Sequence, residues 1–363
     1  MEIIIKKLNP FISLYLDLIR TIAAFGVLLV HANIHWFSNN KFLDEDYGHK
    51  LVMVFFVLSG YLISYSTRQK ERNLSQYIND RVSRLYSIVI PALIFTYLID
   101  GLCVFFHADY MNKIPENQIF RVLLNIFFLD QNWSLCSKPS TNGPFWSISY
   151  EFWYYMIYGV FYFVQSYTKK WLIILGICLF IGPKILLLFP VWILGVAVQY
   201  IEIKMPKPLS IIGFIASLTI LIMLTINHEP IGAIDGFIIG QPPLYFSSRF
   251  LHDYIYGIAI AVHFIFLKSC SSSIFENFNP LDFIKRTFKA TSNMTFTLYL
   301  FHLPILILFS TAVNYDKENY FHLILMLSLL VIFVYFISTY LEKSRIMYKN
   351  IGNRVIQLLG FNQ

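Results

Sequence analysis

Apolar residues fill this chain in long blocks, and charges gather in the short stretches between them. A helix needs about 20 mostly apolar residues to cross the hydrocarbon core of a bilayer. The pattern predicts ten such spans, at approximately 11–35, 50–67, 84–106, 144–165, 171–188, 189–203, 209–227, 249–268, 291–312 and 320–341. The fifth and sixth are short and meet at Phe189-Pro190, and a proline interrupts the backbone ladder of a helix. They are expected to be broken or tilted. Residues 118–130 have apolar positions at helical spacing but too few to cross, so they read as an interfacial or re-entrant helix. Neither an internal repeat nor a low-complexity run is present. The expected fold is all-α: a polytopic membrane protein whose bundle of about ten transmembrane helices encloses a polar cavity. Residues 1–345 form this integral-membrane domain, and 346–363 form a short basic cytoplasmic tail.

Composition narrows the class. Of 363 residues, 57% are hydrophobic and 13% charged, whereas a soluble domain carries about 25% charged residues. Thirty-five Phe and 24 Tyr suit a lipid-facing surface with aromatic belts. No stretch between spans reaches the about 50 residues of a small soluble domain. The net charge of +7 does not point to nucleic acid, because the basic residues sit beside apolar blocks, where they orient helices. Cys103, Cys136, Cys178 and Cys270 have no CxxC spacing and support neither a metal site nor a disulfide framework. Cys136 alone falls in an expected outer loop. The opening MEIIIKKLNP lacks a small-residue cleavage site, so the first span reads as retained and not as a signal peptide. With the N-terminus inside, nineteen of the 28 Lys and Arg lie in inner segments and eight in outer ones. That asymmetry places both termini in the cytoplasm.

Several spans carry groups that are costly in a bilayer. The first, LDLIRTIAAFGVLLVHANIHWF, holds Asp17, Arg20, His31 and His35. Ionisable groups at that depth face a protein interior and mark function. Arg20 and His31 are eleven residues apart, close to three whole turns, so they share one helix face roughly 16 Å apart. The alternative is that Arg20 pairs with Asp17 and His31 sits at the interface. In the second span, Ser59-Gly60 lets a neighbouring helix approach closely. Arg81 and Arg84 lie at i, i+3 at the start of the third span. They can grip a phosphate in fork geometry, or merely hold the loop inside. The fourth span opens GPFWSISYEFWYY, with Trp146 at the interface and Glu151 a turn or two inside, at a depth similar to His31. A carboxylate beside a histidine fixes its tautomer and raises its basicity; Glu151 can equally cap a helix or pair with a loop cation. His302 falls near the middle of the ninth span, level with Arg20, and Pro304 follows it. That pattern suggests a kinked helix lining a cavity, or a hydrogen-bonded core histidine. Glu342 stands at the inner surface. The set suits base-catalysed acyl transfer, with a histidine taking the proton of an acceptor hydroxyl and a cation stabilising the oxyanion. Proton-coupled transport would use the same groups.

These residues, in this order, resemble the membrane acyltransferase-3 family. Arg20 to His31 is similar to its Arg–spacer–His pattern, and Phe55-Phe56-Val57-Leu58-Ser59-Gly60-Tyr61-Leu62 to its FFxLSG(F/Y)L signature. Arg81 and Arg84 resemble its arginine-rich start of the third span, and Trp146 to Glu151 its WSLxxE signature. Tyr299-Leu300-Phe301-His302-Leu303-Pro304 resembles YLxHxP, and Glu342-Lys343-Ser344 the terminal Glu-(Arg/Lys)-Pro. Ser87 and Ser344 depart from the pattern, each standing where family members have Pro. The matches run from residue 16 to 344.

The resemblance implies a ten-helix O-acyltransferase of the bacterial inner membrane, in first place an O-acetyltransferase. Acetyl-CoA, the acyl-CoA donor, would enter from the cytoplasm past Arg81 and Arg84. Arg20 and His302 would line the path or hold the thioester end, and His31, supported by Glu151, would act as base. The acceptor would be a hydroxyl of a surface, capsular or O-antigen polysaccharide or of its lipid-linked precursor. Neither a metal nor nucleic acid is expected, nor an attached esterase-like domain. The rival reading is a proton-coupled transporter or flippase, against which the lack of an inverted repeat counts weakly; acylation of a small molecule or lipid is a third.

Overall fold

The computed structural model describes residues 8–33, 37–39, 45–70, 72–226, 244–358 and 360. His35 and Lys41 lie outside the described residues. All regular structure among those described is helical: α1 (Pro10–Ala32), α2 (Glu45–Arg68), α3 (Leu74–Phe106), α4 (Gln118–Ile126), α5 (Trp146–Phe163), α6 (Tyr167–Ile181), α7 (Pro183–Tyr200), α8 (Lys207–Ile226), α9 (Phe250–Ser273), α10 (Asp282–Ala312) and α11 (Tyr320–Leu358), with short 3₁₀ turns between them. Each expected span has its helix. Eight are long and apolar enough to cross a membrane, all but α4, α5 and α6. The chain is an all-α, multi-pass membrane protein. Large apolar side chains such as Ile212, Phe336 and Leu179 stay exposed, as lipid-facing helices require.

Helix ends depart from the apolar windows, because a helix continues through polar residues when its backbone is capped. Asn73 caps α3 eleven residues before the window begins: its side chain accepts from the Gln76 backbone N–H (2.9 Å), and Gln76 returns the bond to the Asn73 N–H. Arg81 therefore sits two turns inside α3 and not at its start. The expected break at Phe189-Pro190 falls instead at Gly182-Pro183. Gly182 has φ +81°, and the Trp133 ring occupies the place of a Cβ; Pro183 then opens α7. Pro190 is carried inside α7. The last helix runs on to Leu358, through most of the segment expected as a tail.

The helices sort into two compact units. The first comprises residues 1–23, 49–71 and 184–292. In it α2 and α7 meet through glycines. A Cβ on Gly60 would lie 2.1 Å from the Trp192 carbonyl oxygen, and one on Gly195 would lie 1.9 Å from that of Val57. The Trp192 indole donates to Ser59 Oγ (3.3 Å). Ser59-Gly60 thus admits a neighbouring helix as its sequence suggested, and the neighbour is α7. Two lysines close helix ends here. Lys50 Nζ donates to the carbonyls of Leu224 and Thr225 at the end of α8, and Lys268 Nζ to those of Val198, Gln199 and Ile201 at the end of α7. The second unit comprises residues 24–48, 72–183 and 293–363. Its apolar core includes Ile99, Cys103, Tyr110, Leu303 and Ile307 from α3, α10 and the turn after α3.

Candidate functional site

Within the second unit, polar side chains stand in layers along α3, α5 and α10. At one end the Tyr110 hydroxyl donates to Asp100 (2.9 Å), and Thr141 donates to the same oxygen (2.7 Å). Burial pushes the Tyr110 phenol well above its ordinary pKa, and the charge of Asp100 adds to the shift. In the next layer Asn142 Nδ2 donates to Thr96 Oγ1 (3.0 Å) and to the Leu300 carbonyl (2.9 Å). Pro304 explains the second bond. It has no N–H to give the carbonyl four residues back, and Asn142 supplies the missing donor.

The histidines follow. His302 is 1% exposed. Its Nδ1 lies 2.8 Å from the Leu298 carbonyl and its Nε2 lies 3.0 Å from His31 Nδ1. His31 Nδ1 also lies 3.0 Å from the Val27 carbonyl. The protons follow from the partners, since a carbonyl only accepts. His302 Nδ1 carries a proton for Leu298. In neutral His302 the Nε2 is then an acceptor. His31 Nδ1 must be the donor, shared between His302 Nε2 and Val27. This leaves Nε2 of neutral His31 as the basic nitrogen. The sequence pointed to Glu151 as the partner fixing this tautomer; the group bonded to His31 Nδ1 is His302. It also placed His302 level with Arg20, whereas His302 pairs with the residue eleven positions later on α1. The segment after α1 is fastened by the Tyr315 hydroxyl on the Phe37 carbonyl (2.6 Å) and the Asn39 N–H on the Lys317 carbonyl (3.2 Å).

Glu151 lies on α5, one turn after Ser147, and Ser147 Oγ is 2.9 Å from the Tyr299 hydroxyl on α10. The Glu151 carboxylate accepts from the Tyr155 hydroxyl one turn further on. Trp146 is buried and packs edge-on against Tyr150. Ser149 donates to the buried Asp130, which ties α5 to the loop after α4.

Beyond Glu151 comes the arginine layer. The Tyr77 hydroxyl donates to the Tyr155 carbonyl (3.2 Å), and the Tyr77 ring packs on Gly159, where a Cβ would lie 2.7 Å from it. Arg72 and Arg81 hold their guanidiniums over this ring, at 5.1 and 5.4 Å from its centre. The structure therefore brings His31 to His302, and links Glu151 to Arg81 through Tyr155 and Tyr77. Arg20 belongs to the first unit, where it meets Ser292 Oγ at 3.4 Å. Tyr77 and Asn142 were not legible as site residues in the sequence; the one available signal was the carbonyl that Pro304 must free.

The acyltransferase-3 family model, described as an acyltransferase domain, matches residues 13–343. Parts of the chain are similar to three curated proteins. The acyltransferase MdmB of Streptomyces mycarofaciens is 28% identical over 158 residues, which is 40% of this chain and 38% of that protein. The peptidoglycan O-acetyltransferase OatA of Listeria monocytogenes is 29% identical over 185 residues, 49% of this chain and 28% of that protein. The O-acetyl transferase of Shigella phage Sf6 is 28% identical over 154 residues, 40% of this chain and 44% of that protein. The chain spans less than half the length of each of these relatives. No solved structure matches it.

Proposed function

The chain belongs to the acyltransferase-3 family, and from that premise we propose that it is a membrane O-acetyltransferase that moves the acetyl group of acetyl-CoA to a glycan hydroxyl. The observation that carries the reading is the His31–His302 pair, which presents a neutral imidazole with its Nε2 as the base. The acceptor oxygen attacks the thioester carbonyl carbon while His31 Nε2 takes its proton. The C–S bond then breaks, CoA leaves as thiolate, and the imidazolium returns the proton to sulfur. His302 holds the tautomer. Glu151, which accepts from Tyr155, adds negative charge between the histidine pair and the arginine layer. The family resemblance gives Arg20 the role of lining the path or holding the thioester end, as a cation that can offset charge developing on a carbonyl oxygen.

The distance between the two ends supports a long donor. Arg81 and Thr96 are fifteen residues apart on α3, about 22 Å at the helical rise, and Thr96 joins the layer of Leu300, two residues before His302. CoA has the same form: a phosphorylated nucleotide at one end, a thioester at the other, and a flexible arm between. In this reading Arg81 and Arg84 hold the phosphates at the cytoplasmic face. His31 works toward the other side of a bacterial inner membrane, with both termini in the cytoplasm. The acceptor class, an envelope polysaccharide or its lipid-linked precursor, is drawn from the family and from the names of the relatives.

Membranes carrying the protein, given labelled acetyl-CoA and extracted glycan, should transfer label covalently to the glycan. His31→Ala should lower that transfer by about 10²–10⁴-fold at an unchanged protein level. Wild-type turnover in His31→Ala would remove the base assignment. Glycan uptake without acetylation would favour the transporter.

A further inference from the structure

The column of polar layers continues past Arg81 to a junction between the first turns of α3 and the last turns of α11. Asp80 receives Arg72 Nη1 at 2.9 Å and Lys349 Nζ at 2.7 Å. The Arg72 and Asp80 side chains are 3% and 9% exposed, while that of Lys349 is 47% exposed. The two helices are locked in register at this level. Asn79 Nδ2 donates to the Lys349 carbonyl (3.0 Å) and to Asn353 Oδ1 (2.7 Å). A Cβ on Gly352 would lie 1.9 Å from Asn79 Oδ1, so any larger residue there would have to displace the Asn79 side chain. Arg345 lies one turn before Lys349 on α11, and Glu342 three residues before Arg345.

Among the described residues, Arg72, Arg81 and Arg84 of α3 and Arg345 and Lys349 of α11 thus flank the junction that holds Asp80. Like charges held this close and partly out of water repel. Guanidiniums and a half-exposed ammonium converging on one junction offer several donors to an anion with several charges. Guanidinium forks match phosphate oxygens two at a time, and an exposed ammonium serves a single phosphate as a point charge.

We infer that Arg345 and Lys349 of α11 join Arg72, Arg81 and Arg84 of α3 in one site for a ligand bearing several phosphates, with Asp80 and Tyr77 positioning the cations. The inference rests on the acyl-CoA reading above and extends it. The diphosphate of CoA falls to the α3 arginines, and its 3′-phosphate to Arg345 and the more exposed Lys349. The end of α11 is then a discriminating element for CoA over donors that lack the 3′-phosphate.

The test uses the full chain in nanodiscs of neutral phosphatidylcholine, with CoA and 3′-dephospho-CoA titrated by calorimetry. Wild type should bind CoA more tightly than 3′-dephospho-CoA. Arg345→Gln and Lys349→Gln should each weaken CoA by about tenfold or more, the scale of one lost charge-assisted contact, and leave 3′-dephospho-CoA unchanged. Arg345→Gln spares the bond to Asp80 and so keeps the test open if Lys349→Gln misfolds. Wild type that binds CoA together with variants of unchanged preference would overturn the role of α11 and leave the donor reading standing. Wild type that binds no CoA would overturn both. If only phosphatidylglycerol added to the disc, and not CoA, responds to these residues, the site belongs to a lipid headgroup and the inference fails.

Discussion

The chemistry proposed for His31 depends on where one proton sits. Hydrogen-bond partners of a reacting imidazole fix its orientation and basicity, and their loss typically reduces activity about 10–100-fold. His302→Ala is therefore expected to lower kcat by about that factor, to change the pH–rate profile, and to leave KM for acetyl-CoA near wild type. His302→Gln, whose amide oxygen can still accept from His31 Nδ1, should recover part of the loss. A merely structural role would lower the amount of folded protein and leave the pH profile as it was. Wild-type kcat and pH profile in a folded His302→Ala enzyme would remove His302 from the mechanism. Neither histidine shows this relation in the sequence. They are separated by 270 intervening residues, and their contact exists only because α1 and α10 bring Nδ1 and Nε2 to 3.0 Å.

At the scale of elements, α11 ties one end of the site together by being continuous. Ser344 stands where the family pattern places Pro. Its hydroxyl bonds back to the Leu341 carbonyl (2.8 Å), and the helix runs on for fourteen more residues. A proline there would remove a backbone N–H and clash with the carbonyl four residues earlier. Ser344→Pro is expected to break α11 after Leu341 and to separate Lys349 from Asp80. Limited proteolysis should then cut between 345 and 358, and Ser344→Ala should behave as wild type. Equal protease resistance in Ser344→Pro would show that the segment is held without a continuous helix. Ser87 makes a similar bond to the Arg84 carbonyl (3.0 Å) within α3. Both departures from the family pattern stand inside helices that carry basic residues of the cluster.

For the whole molecule, the positive-inside count predicts the direction of every span. The four cysteines allow this to be read directly, because Cys136 is exposed whereas Cys103 and Cys270 are buried. In intact cells or spheroplasts, a membrane-impermeant maleimide should label Cys136 from outside. A cysteine introduced at Gln357 should react only after the membrane is opened. Labelling of Cys136 only in inverted vesicles would reverse the orientation and with it the assigned sides of donor and acceptor.

The sequence by itself determined the membrane class, the helical fold and the family, because apolar block length and the order of short motifs are local properties that survive without contacts. It also marked His31, His302, Glu151, Arg20, Arg81 and Arg84 as costly groups needing partners, and showed that Gly60 would admit a helix. Who those partners are was decided by the tertiary structure. Tyr77 on the Tyr155 carbonyl, Asn142 on the carbonyl released by Pro304, His302 on His31 and Lys349 on Asp80 all join distant segments. Helix ends escaped the apolar windows for a related reason. A window ends where charges begin, whereas a helix ends where its backbone groups lose partners, and α3 and α11 find theirs in the Asn73 cap and in each other.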